Sequence, residues 1–396
     1  MKTPLQANTL ADIDHRMNWE FLPVLADWTI AQSISLQQIP APTFHESARA
    51  KFVAAQFREL GLKQVSIDDV YNVYGILPGS NPALPALMVT AHTDTVFPAE
   101  TDLDIRREGD LIYGPGLGDN SLGVGGMLAL ARTLSALPSE FALERSVWFV
   151  ATTGEEGLGD LRGMKAAFAT LKEDIGAVIN LEGMALGHVY HIGIAVRRLH
   201  IIAHAAGGHS WLHFGRPSAI HTLMRLGAEI TQIVPTALPR TTYNIGMIDG
   251  GTAINALASK ASLWLDLRSE SADELHALEG QVRAIIDRYN AEVSQVTLEV
   301  VGDRPAGRID PNHPLVGLAL GALAQVNLRG ALESGSTDGN VPLTHGIPTV
   351  TIGISSGGNA HRLDEFIEIS PVEKGLHQLI LLTLACDHLA LSGSGS

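Results

Sequence analysis

The chain of 396 residues has a single cysteine, Cys386, so a disulfide bond within the chain is excluded. Cys386 lies in an apolar helical stretch, where a buried small hydrophobic side chain is a commoner role than a nucleophile. Basic residues are also scarce, because 27 Lys and Arg stand against 42 Asp and Glu and give a net charge of -15. Nucleic acids and anionic membranes both require a cationic protein face, so we expect neither as a partner.

Long apolar runs are lacking as well. No segment reaches the roughly 20 apolar residues that a membrane span needs. Residues 1–16 contain no apolar core of signal-peptide length. We therefore expect a cytoplasmic protein. Sixteen histidines beside one cysteine indicate nitrogen and oxygen ligands rather than sulfur, if the protein binds a metal.

Apolar runs alternate with helical stretches, which predicts an α/β fold. Strands over residues 86–92, 146–153 and 177–181 alternate with helical segments. This pattern is typical of a largely parallel sheet with helices on both faces. Upstream, residues 14–38 have the composition of one helix, and residues 43–46 form a capping box that starts the next one.

The pattern changes near residue 190 and returns near residue 304. Between these points the predicted elements follow the order β-α-β-β-α-β, which is the ferredoxin-like arrangement. A chain of this length exceeds one ordinary core, so a second, inserted domain is expected. We place the first domain at 1–190 and 304–391, the insertion at 191–303, and a flexible tail at 392–396.

Polar residues follow the strands at the point where each one ends. His92 and Asp94 are two residues apart in an extended segment and so share a face, which suits an imidazole ligand oriented by a carboxylate. The glycine-rich turn at 114–126 lacks the third glycine of a dinucleotide fingerprint, and a turn that positions Asp119 explains it better. The remaining acidic residues of this set follow the later strands: Glu155, Glu156 and Glu182.

His361 completes the set, because it follows a glycine-rich loop after a predicted strand at 349–353. Two histidines and four or more carboxylates at one sheet edge are about what two divalent ions need. A carboxylate that bridges the ions would hold them about 3.5–4 Å apart. Zinc, cobalt and manganese are all compatible with nitrogen and oxygen ligands.

The order of these motifs resembles the co-catalytic dizinc exopeptidase/deacylase family. That family includes peptidase T, the glutamate carboxypeptidases, acetylornithine deacetylase, succinyl-diaminopimelate desuccinylase and aminoacylase. The resemblance extends from Ile39 to Ile369 and is carried by five motifs: His92-Thr93-Asp94, Gly118-Asp119-Asn120, Gly154-Glu155-Glu156-Gly157, Glu182 and His361.

The resemblance implies a metallohydrolase with two divalent ions, zinc first and cobalt or manganese as further possibilities. It implies these ligands: His92 and Glu182 on one ion, Glu156 and His361 on the other, and Asp119 bridging both. It also implies that Asp94 orients His92. Glu155 would be the general base that deprotonates a water between the ions.

The inserted domain would be a lid that also forms a homodimer, as the same resemblance implies. His209, in the segment Gly207–Trp211, would stabilise the oxyanion, typically from the partner subunit. Asn255 and Arg304 would contact the substrate, and a guanidinium offers the fork that a carboxylate needs. Structural roles are the alternatives for these three residues, and Asp94 could instead cap the following loop.

Two positions depart from parts of the family. Ser121 stands where many deacetylases have Lys, which argues against an acetylornithine deacetylase. Glu182 stands where peptidase T has Asp, which favours the carboxypeptidase and deacylase side of the family. The resemblance as a whole implies a metallopeptidase that cleaves small peptides. The alternatives are an N-acyl amino acid amidohydrolase, a non-catalytic metal-binding relative and a nicotinamide enzyme.

Overall fold

The computed structural model describes residues 4–292 and 295–389. The chain divides into two compact units. Unit 1 comprises the residues up to Gly193 and those from Arg308 onward, and unit 2 is Ile194–Gly307. The insertion predicted at 191–303 begins and ends a few residues earlier than unit 2. The tail predicted at 392–396 lies outside the described residues.

The helices and strands are numbered in chain order. Within the described residues the helices are α1 (Pro4–Arg16), α2 (Leu22–Gln37), α3 (Ser47–Glu59), α4 (Leu122–Ser135), α5 (Arg162–Leu171), α6 (Ala219–Ile230), α7 (Ala272–Glu292), α8 (Pro314–Gln325), α9 (Asn340–Thr344) and α10 (Val372–Cys386). In the same part of the chain the strands are β1 (Lys63–Ile67), β2 (Val73–Leu77), β3 (Ala86–His92), β4 (Arg106–Glu108), β5 (Leu111–Tyr113), β6 (Val147–Thr152), β7 (Ile175–Leu181), β8 (His188–Gly193), β9 (Ala195–His204), β10 (Gly208–His209), β11 (Thr241–Gly250), β12 (Ala256–Leu257), β13 (Lys260–Ser269), β14 (Gln295–Arg304), β15 (Gly307–Arg308), β16 (Ala331–Gly335), β17 (Thr349–Ile352), β18 (Gly357–Gly358) and β19 (Phe366–Glu368).

A large sheet with a parallel centre forms the base of unit 1. Strands β6, β3, β7 and β17 are neighbours in that order and run parallel. At one edge β2 and β1 are antiparallel, and at the other β8 runs antiparallel to β17. The predicted α/β class is therefore confirmed, with a parallel sheet at the centre and mixed directions at the edges.

Helices cover both faces of this sheet, as the burial of β3 shows. All seven of its residues are buried. Leu87, Val89 and Ala91 face the core that contains α2, α4 and α10, whereas Ala86 and Met88 face the core that contains α5. A strand covered on both faces has no polar side, so its sequence is a continuous apolar run rather than an alternating one.

The parallel centre also positions the candidate site. His92 pairs with Thr152 across β3 and β6, and Leu181 pairs with Ile352 across β7 and β17. The carboxyl ends of these four strands therefore meet at one edge. Polar residues that follow them in the chain are brought together there, which is where open α/β sheets place ligands.

Unit 2 is an antiparallel sheet with two helices. The sheet order is β11-β13-β9-β14, and the chain order is β9, α6, β11, β13, α7, β14 when the short pair of β10 and β12 is set aside. Leu199 of β9 and Leu265 of β13 pack with Leu223 of α6 and Val282 of α7 in one core. This is the ferredoxin-like order expected from the sequence.

Two local predictions for the first helices were wrong. The single helix expected at 14–38 is α1 and α2, separated by a turn in which Asn18 Oδ1 accepts the main-chain N–H of Glu20. A proline at the start of α2 suits a helix beginning, because its nitrogen has no hydrogen to donate to a preceding turn. The capping box at 43–46 does not form, since Thr43 and Glu46 both bond to residues distant in the chain.

Cys386 is fully buried in α10, as a small hydrophobic side chain would be. Among the described residues, no helix has both the length and the hydropathy required to cross a membrane. The cytoplasmic location expected from the sequence stays a prediction.

Candidate metal centre

One carboxylate lies between two imidazoles at the edge of the unit 1 sheet. Asp119 Oδ1 is 3.1 Å from His92 Nε2, and Asp119 Oδ2 is 3.1 Å from His361 Nε2. His92 is the last residue of β3, and His361 comes from the loop between β18 and β19. Each oxygen of Asp119 thus faces a different histidine, which is the geometry of a bridging ligand.

A second carboxylate accompanies each imidazole. Glu182 Oε2 lies 3.6 Å from His92 Nε2, and Glu156 Oε1 lies 3.0 Å from His361 Nε2. The structure therefore brings together all five residues that the sequence predicted as ligands. They form two groups of one histidine and one glutamate that share Asp119.

The spacing of these atoms fits divalent ions. Two ligand atoms that are each about 2.1 Å from a common ion are about 3.0–3.4 Å apart at angles between 90° and tetrahedral. Three of the four observed nitrogen–oxygen distances, 3.0, 3.1 and 3.1 Å, lie in this range, and the fourth, from His92 to Glu182, is 3.6 Å. Ligand atoms of His92, Asp119 and Glu156 also lie within 4.8 Å of one another. Nitrogen and oxygen donors in this number suit zinc, cobalt or manganese.

The pKa values of four candidate ligands are raised at the place where cations would lie. Hydrogen bonds to Asp119 and Glu156 raise the pKa of His361 to about 10. Burial acts to lower the pKa of His92, but hydrogen bonds to three carboxylates raise it well above its ordinary value. Burial raises the pKa of Glu156 to about 7 and that of Glu182 to about 6. Divalent ions would replace these protons, because metal ligands must be deprotonated.

Asp94 has a broader structural role than the sequence suggested. His92 Nδ1 lies 3.2 Å from the main-chain oxygen of Asp94 and 3.5 Å from its Oδ1, so the carboxylate is the weaker partner of the ring. The Asp94 carboxylate accepts the main-chain N–H groups of Glu155 and Glu156, both at 3.0 Å, and the Thr43 hydroxyl at 2.8 Å. It therefore holds the loop that carries the predicted base and one ligand.

Glu46 is a site residue that the sequence reasoning missed. Its buried carboxylate accepts the Gly154 N–H at 3.1 Å and the Phe44 N–H at 2.9 Å, and it pairs with Arg162 at 2.8 Å. Burial raises its pKa. Glu46 and Asp94 together fix both ends of the segment from Gly154 to Glu156.

Asn120 and Glu365 hold the loop around Asp119 in the same way. Asn120 donates to Leu181 O at 2.8 Å and accepts the Gly183 N–H at 2.8 Å, which joins this loop to the segment that carries Glu182. Glu365 accepts the main-chain N–H groups of Gly118 and Asp119. No local motif in the sequence indicated either role.

Glu155 lies between Gly154 and the candidate ligand Glu156 in the chain. It is buried, and its charge adds to the burial that raises the pKa of Glu156, Glu182 and Asp338. Asp338, which the sequence reasoning missed, accepts the Thr152 hydroxyl at 2.5 Å, and burial raises its pKa to about 8.

The candidate residues of unit 2 fall into two places. His209 lies in β10, which pairs with β12, and the main-chain oxygen of Asn255 accepts the Ser210 N–H at 2.9 Å. Arg304 is buried at the end of β14, opposite Val196 at the start of β9. His209 follows His204, which is the last residue of β9. The stretch from Val196 to His204 spans about 26 Å along the strand. The structure thus brings His209 and Asn255 together but leaves Arg304 at the opposite end of the sheet.

The chain matches the sequence model of Peptidase family M20/M25/M40 over residues 88–384. Over 346 residues it is 25% identical to the uncharacterized protein YqjE of Bacillus subtilis. The aligned region covers 82% of this chain and 89% of that protein.

Solved structures agree with this match at the level of the fold. A tripeptidase of Staphylococcus aureus superposes with a TM-score of 0.77 at 22% identity, covering 91% of this chain and 98% of that one. The YXEP protein of Bacillus subtilis, described as a dinuclear metal binding peptidase, superposes with a TM-score of 0.67 at 14% identity. The superposition covers 91% of this chain and 98% of that one.

Proposed function

The chain belongs to Peptidase family M20/M25/M40, which makes it a hydrolase of amide bonds, and we propose that it is a two-metal exopeptidase for small peptides. The observation that carries this proposal is the sharing of Asp119 between two imidazoles, each accompanied by a glutamate. The dinuclear site described for the YXEP protein, a structural relative, supports it further.

We assign His92 and Glu182 to one ion, Glu156 and His361 to the other, and Asp119 to both. Two divalent ions, with zinc as our first choice, supply Lewis acidity that polarises an amide carbonyl and makes water easier to deprotonate. Glu155 accepts the proton of the attacking water and later returns it to the leaving amine. The hydrogen bonds of Asp94 and Glu46 to the 154–156 segment support this role, because a base must be held within hydrogen-bonding reach of the water.

We further propose that the enzyme works as a homodimer through unit 2. His209 is assigned to the oxyanion, and Arg304 to a carboxylate of the substrate, with Asn255 as a further contact. Within one copy, His209 and Arg304 lie at opposite ends of β9, about 26 Å apart along the strand. An extended tripeptide spans only about 10 Å. One small substrate can therefore reach both residues only if they come from different copies, and we assign His209 to the second copy.

Metal removal and restoration test the function. Protein dialysed against EDTA is assayed with dipeptides, tripeptides and N-acetyl amino acids, before and after addition of Zn²⁺ or Co²⁺. We expect peptide hydrolysis that disappears with EDTA and returns with metal. Glu155→Gln should abolish turnover while two ions stay bound, whereas Glu156→Gln should also lose metal. Turnover by Glu155→Gln would contradict its assignment as the base.

The same panel separates a peptidase from an N-acyl amino acid amidohydrolase. Glu182 favours the carboxypeptidase and deacylase side of the family, as the sequence comparison with peptidase T indicated. Faster cleavage of N-acetyl amino acids than of any peptide would therefore assign the enzyme to the deacylases. Hydrolysis of either class would exclude a non-catalytic relative.

A further inference from the structure

A compact loop in unit 2 holds His209 by its main chain. The His209 N–H donates to His213 Nδ1 at 2.9 Å, and the His213 N–H donates to His209 O at 2.9 Å. These two reciprocal bonds close the loop on itself. His213 is therefore a structural partner of His209, although the residue carried no assignment on the basis of sequence.

Gly208 makes room for this arrangement. Its φ is +143°, and a Cβ atom at this position would lie 2.6 Å from His213 Nδ1. Any side chain at position 208 would push the His213 ring away from the His209 N–H. The pair of β10 and β12 fixes the strand side of the loop, because Gly208 and His209 pair with Leu257 and Ala256.

The loop also contacts the His209 ring. The Trp211 main-chain N–H donates to His209 Nδ1 at 3.2 Å. A nitrogen that accepts a hydrogen bond offers a lone pair, so Nδ1 carries no proton in the neutral ring. The single proton of a neutral imidazole must then reside on Nε2.

We propose that this loop presets His209 as the Nε2–H tautomer, with His213 as the positioning residue that maintains the arrangement. The inference rests on the proposed function, in which His209 stabilises the oxyanion. A preset Nε2–H group can donate to a developing negative charge without a change of tautomer, and preorganised donors of this kind stabilise a transition state most strongly. The opposite tautomer would present a lone pair to the oxyanion and repel it.

Nitrogen NMR of the metal-loaded enzyme, labelled with ¹⁵N-histidine, tests the tautomer directly. Spectra are recorded at about pH 8.5, well above the ordinary histidine pKa of about 6.5. The signal lost in His209→Gln identifies His209. We expect Nε2 to be protonated and Nδ1 not to be. A proton on Nδ1 in the unmodified enzyme would overturn the inference, and this measurement needs no variant other than the one used for assignment.

His213→Ala tests the positioning role, with His204→Ala in β9 as the matched control. In His213→Ala the His209 signals should report a mixture of tautomers. The value of kcat should fall about tenfold, and the metal content should not change. His204→Ala should match the unmodified enzyme in both measurements. An unchanged His209 tautomer in His213→Ala would overturn the role of His213.

Different results would contradict the tautomer inference and the proposed function. A tautomer mixture in His213→Ala without loss of kcat would support the structural inference and remove His209 from the proposed mechanism. An Nδ1–H tautomer in an enzyme that hydrolyses peptides with two metals would refute the inference and retain the proposed function.

Discussion

Glu365 Oε1 accepts the main-chain N–H of Asp119 at 3.0 Å. The same oxygen accepts the Gly118 N–H at 2.8 Å, and Glu365 is completely buried. His361 lies in the loop that leads to Glu365. One carboxylate that is not assigned as a ligand therefore joins the two loops that carry Asp119 and His361.

Replacing Glu365 should weaken metal binding. In Glu365→Ala the N–H groups of Gly118 and Asp119 lose their acceptor, so the Asp119 loop is free to shift. Partners that orient metal ligands in this way are worth about 10–100-fold in metal affinity or activity, and we expect a loss of this size. Glu365→Gln keeps an acceptor oxygen and should lose less. Metal stoichiometry after dialysis and kcat/KM measure the effect.

Asp364→Asn is the control, because Asp364 is the exposed neighbour of Glu365 in the same loop. This variant should retain full metal content and activity. If Glu365→Ala also binds two ions with unchanged affinity, Glu365 does not support the bridging residue.

Gly154 and Gly157 flank the two glutamates and offer a matched pair of substitutions. Both have positive φ values, +62° and +51°. A Cβ at Gly154 would lie 2.5 Å from Arg162 Cγ, whereas nothing lies within 4 Å at Gly157. Gly154→Ala should therefore displace the segment that holds Glu155 and lower kcat at least tenfold. Gly157→Ala should cost about 1–2 kcal/mol of backbone strain alone.

Steady-state kinetics and thermal unfolding separate these two effects. Both variants should lose thermal stability, but only Gly154→Ala should lose most of its kcat. Equal kcat values in the two variants would show that the Glu46–Arg162 contact with Gly154 does not hold the catalytic segment.

Arg49 stabilises the chain beneath the metal centre. Its buried guanidinium donates to Ile39 O, Thr93 O and Gln37 O. Burial lowers its pKa to about 10, so it remains charged at neutral pH. Lysine cannot reproduce the planar set of donors, and carbonyls left without a partner in the interior are costly. Arg49→Lys should lower the free energy of unfolding by about 3 kcal/mol.

Urea denaturation measures this loss, and Arg58→Lys is the control. Arg58 is an exposed arginine of the same helix, α3. The same exchange there should change the unfolding free energy by less than about 0.5 kcal/mol. Equal effects at the two positions would mean that the three carbonyl contacts of Arg49 contribute little.

The sequence predicted that the five candidate ligands meet at one sheet edge, because their signals are local. Apolar runs predict buried strands, and the polar residue after each run is then expected at the sheet edge, as for His92 and Glu182. The residues that hold the ligands gave no such signal. Glu46 acts on Gly154, 108 residues away, and Glu365 acts on Asp119, 246 residues away. Thr43 and Glu46 have the spacing of a capping box, which is a local pattern. Their contacts with Asp94 and Gly154 are distant in the chain and leave no local pattern in the sequence.

Cys386 should be unreactive in the folded protein. It is fully buried in α10, and burial raises the pKa of its thiol to about 12. Thiolates, not thiols, are alkylated. Iodoacetamide at about pH 8.5, near the ordinary thiol pKa, should therefore label native protein far more slowly than urea-unfolded protein. Because Cys386 is the only cysteine, the label per chain reports this residue alone. Equal labelling rates would contradict its burial.

The same thiol makes stability depend on pH in a defined direction. In the unfolded chain the pKa is about 8.5, whereas in the folded chain burial raises it to about 12. Between these values the unfolded chain loses the thiol proton and the folded chain keeps it, so ionisation favours unfolding. The contribution of Cys386 to the free energy of unfolding has its full value below about pH 8.5. It falls as the pH rises, by about 1–3 kcal/mol at about pH 10.5. Cys386→Ala has no thiol and lacks this pH-dependent loss. The difference in unfolding free energy between the variant and the unmodified protein should therefore become smaller as the pH rises. Two curves that stay parallel from about pH 8 to pH 11 would show that the thiol does not contribute.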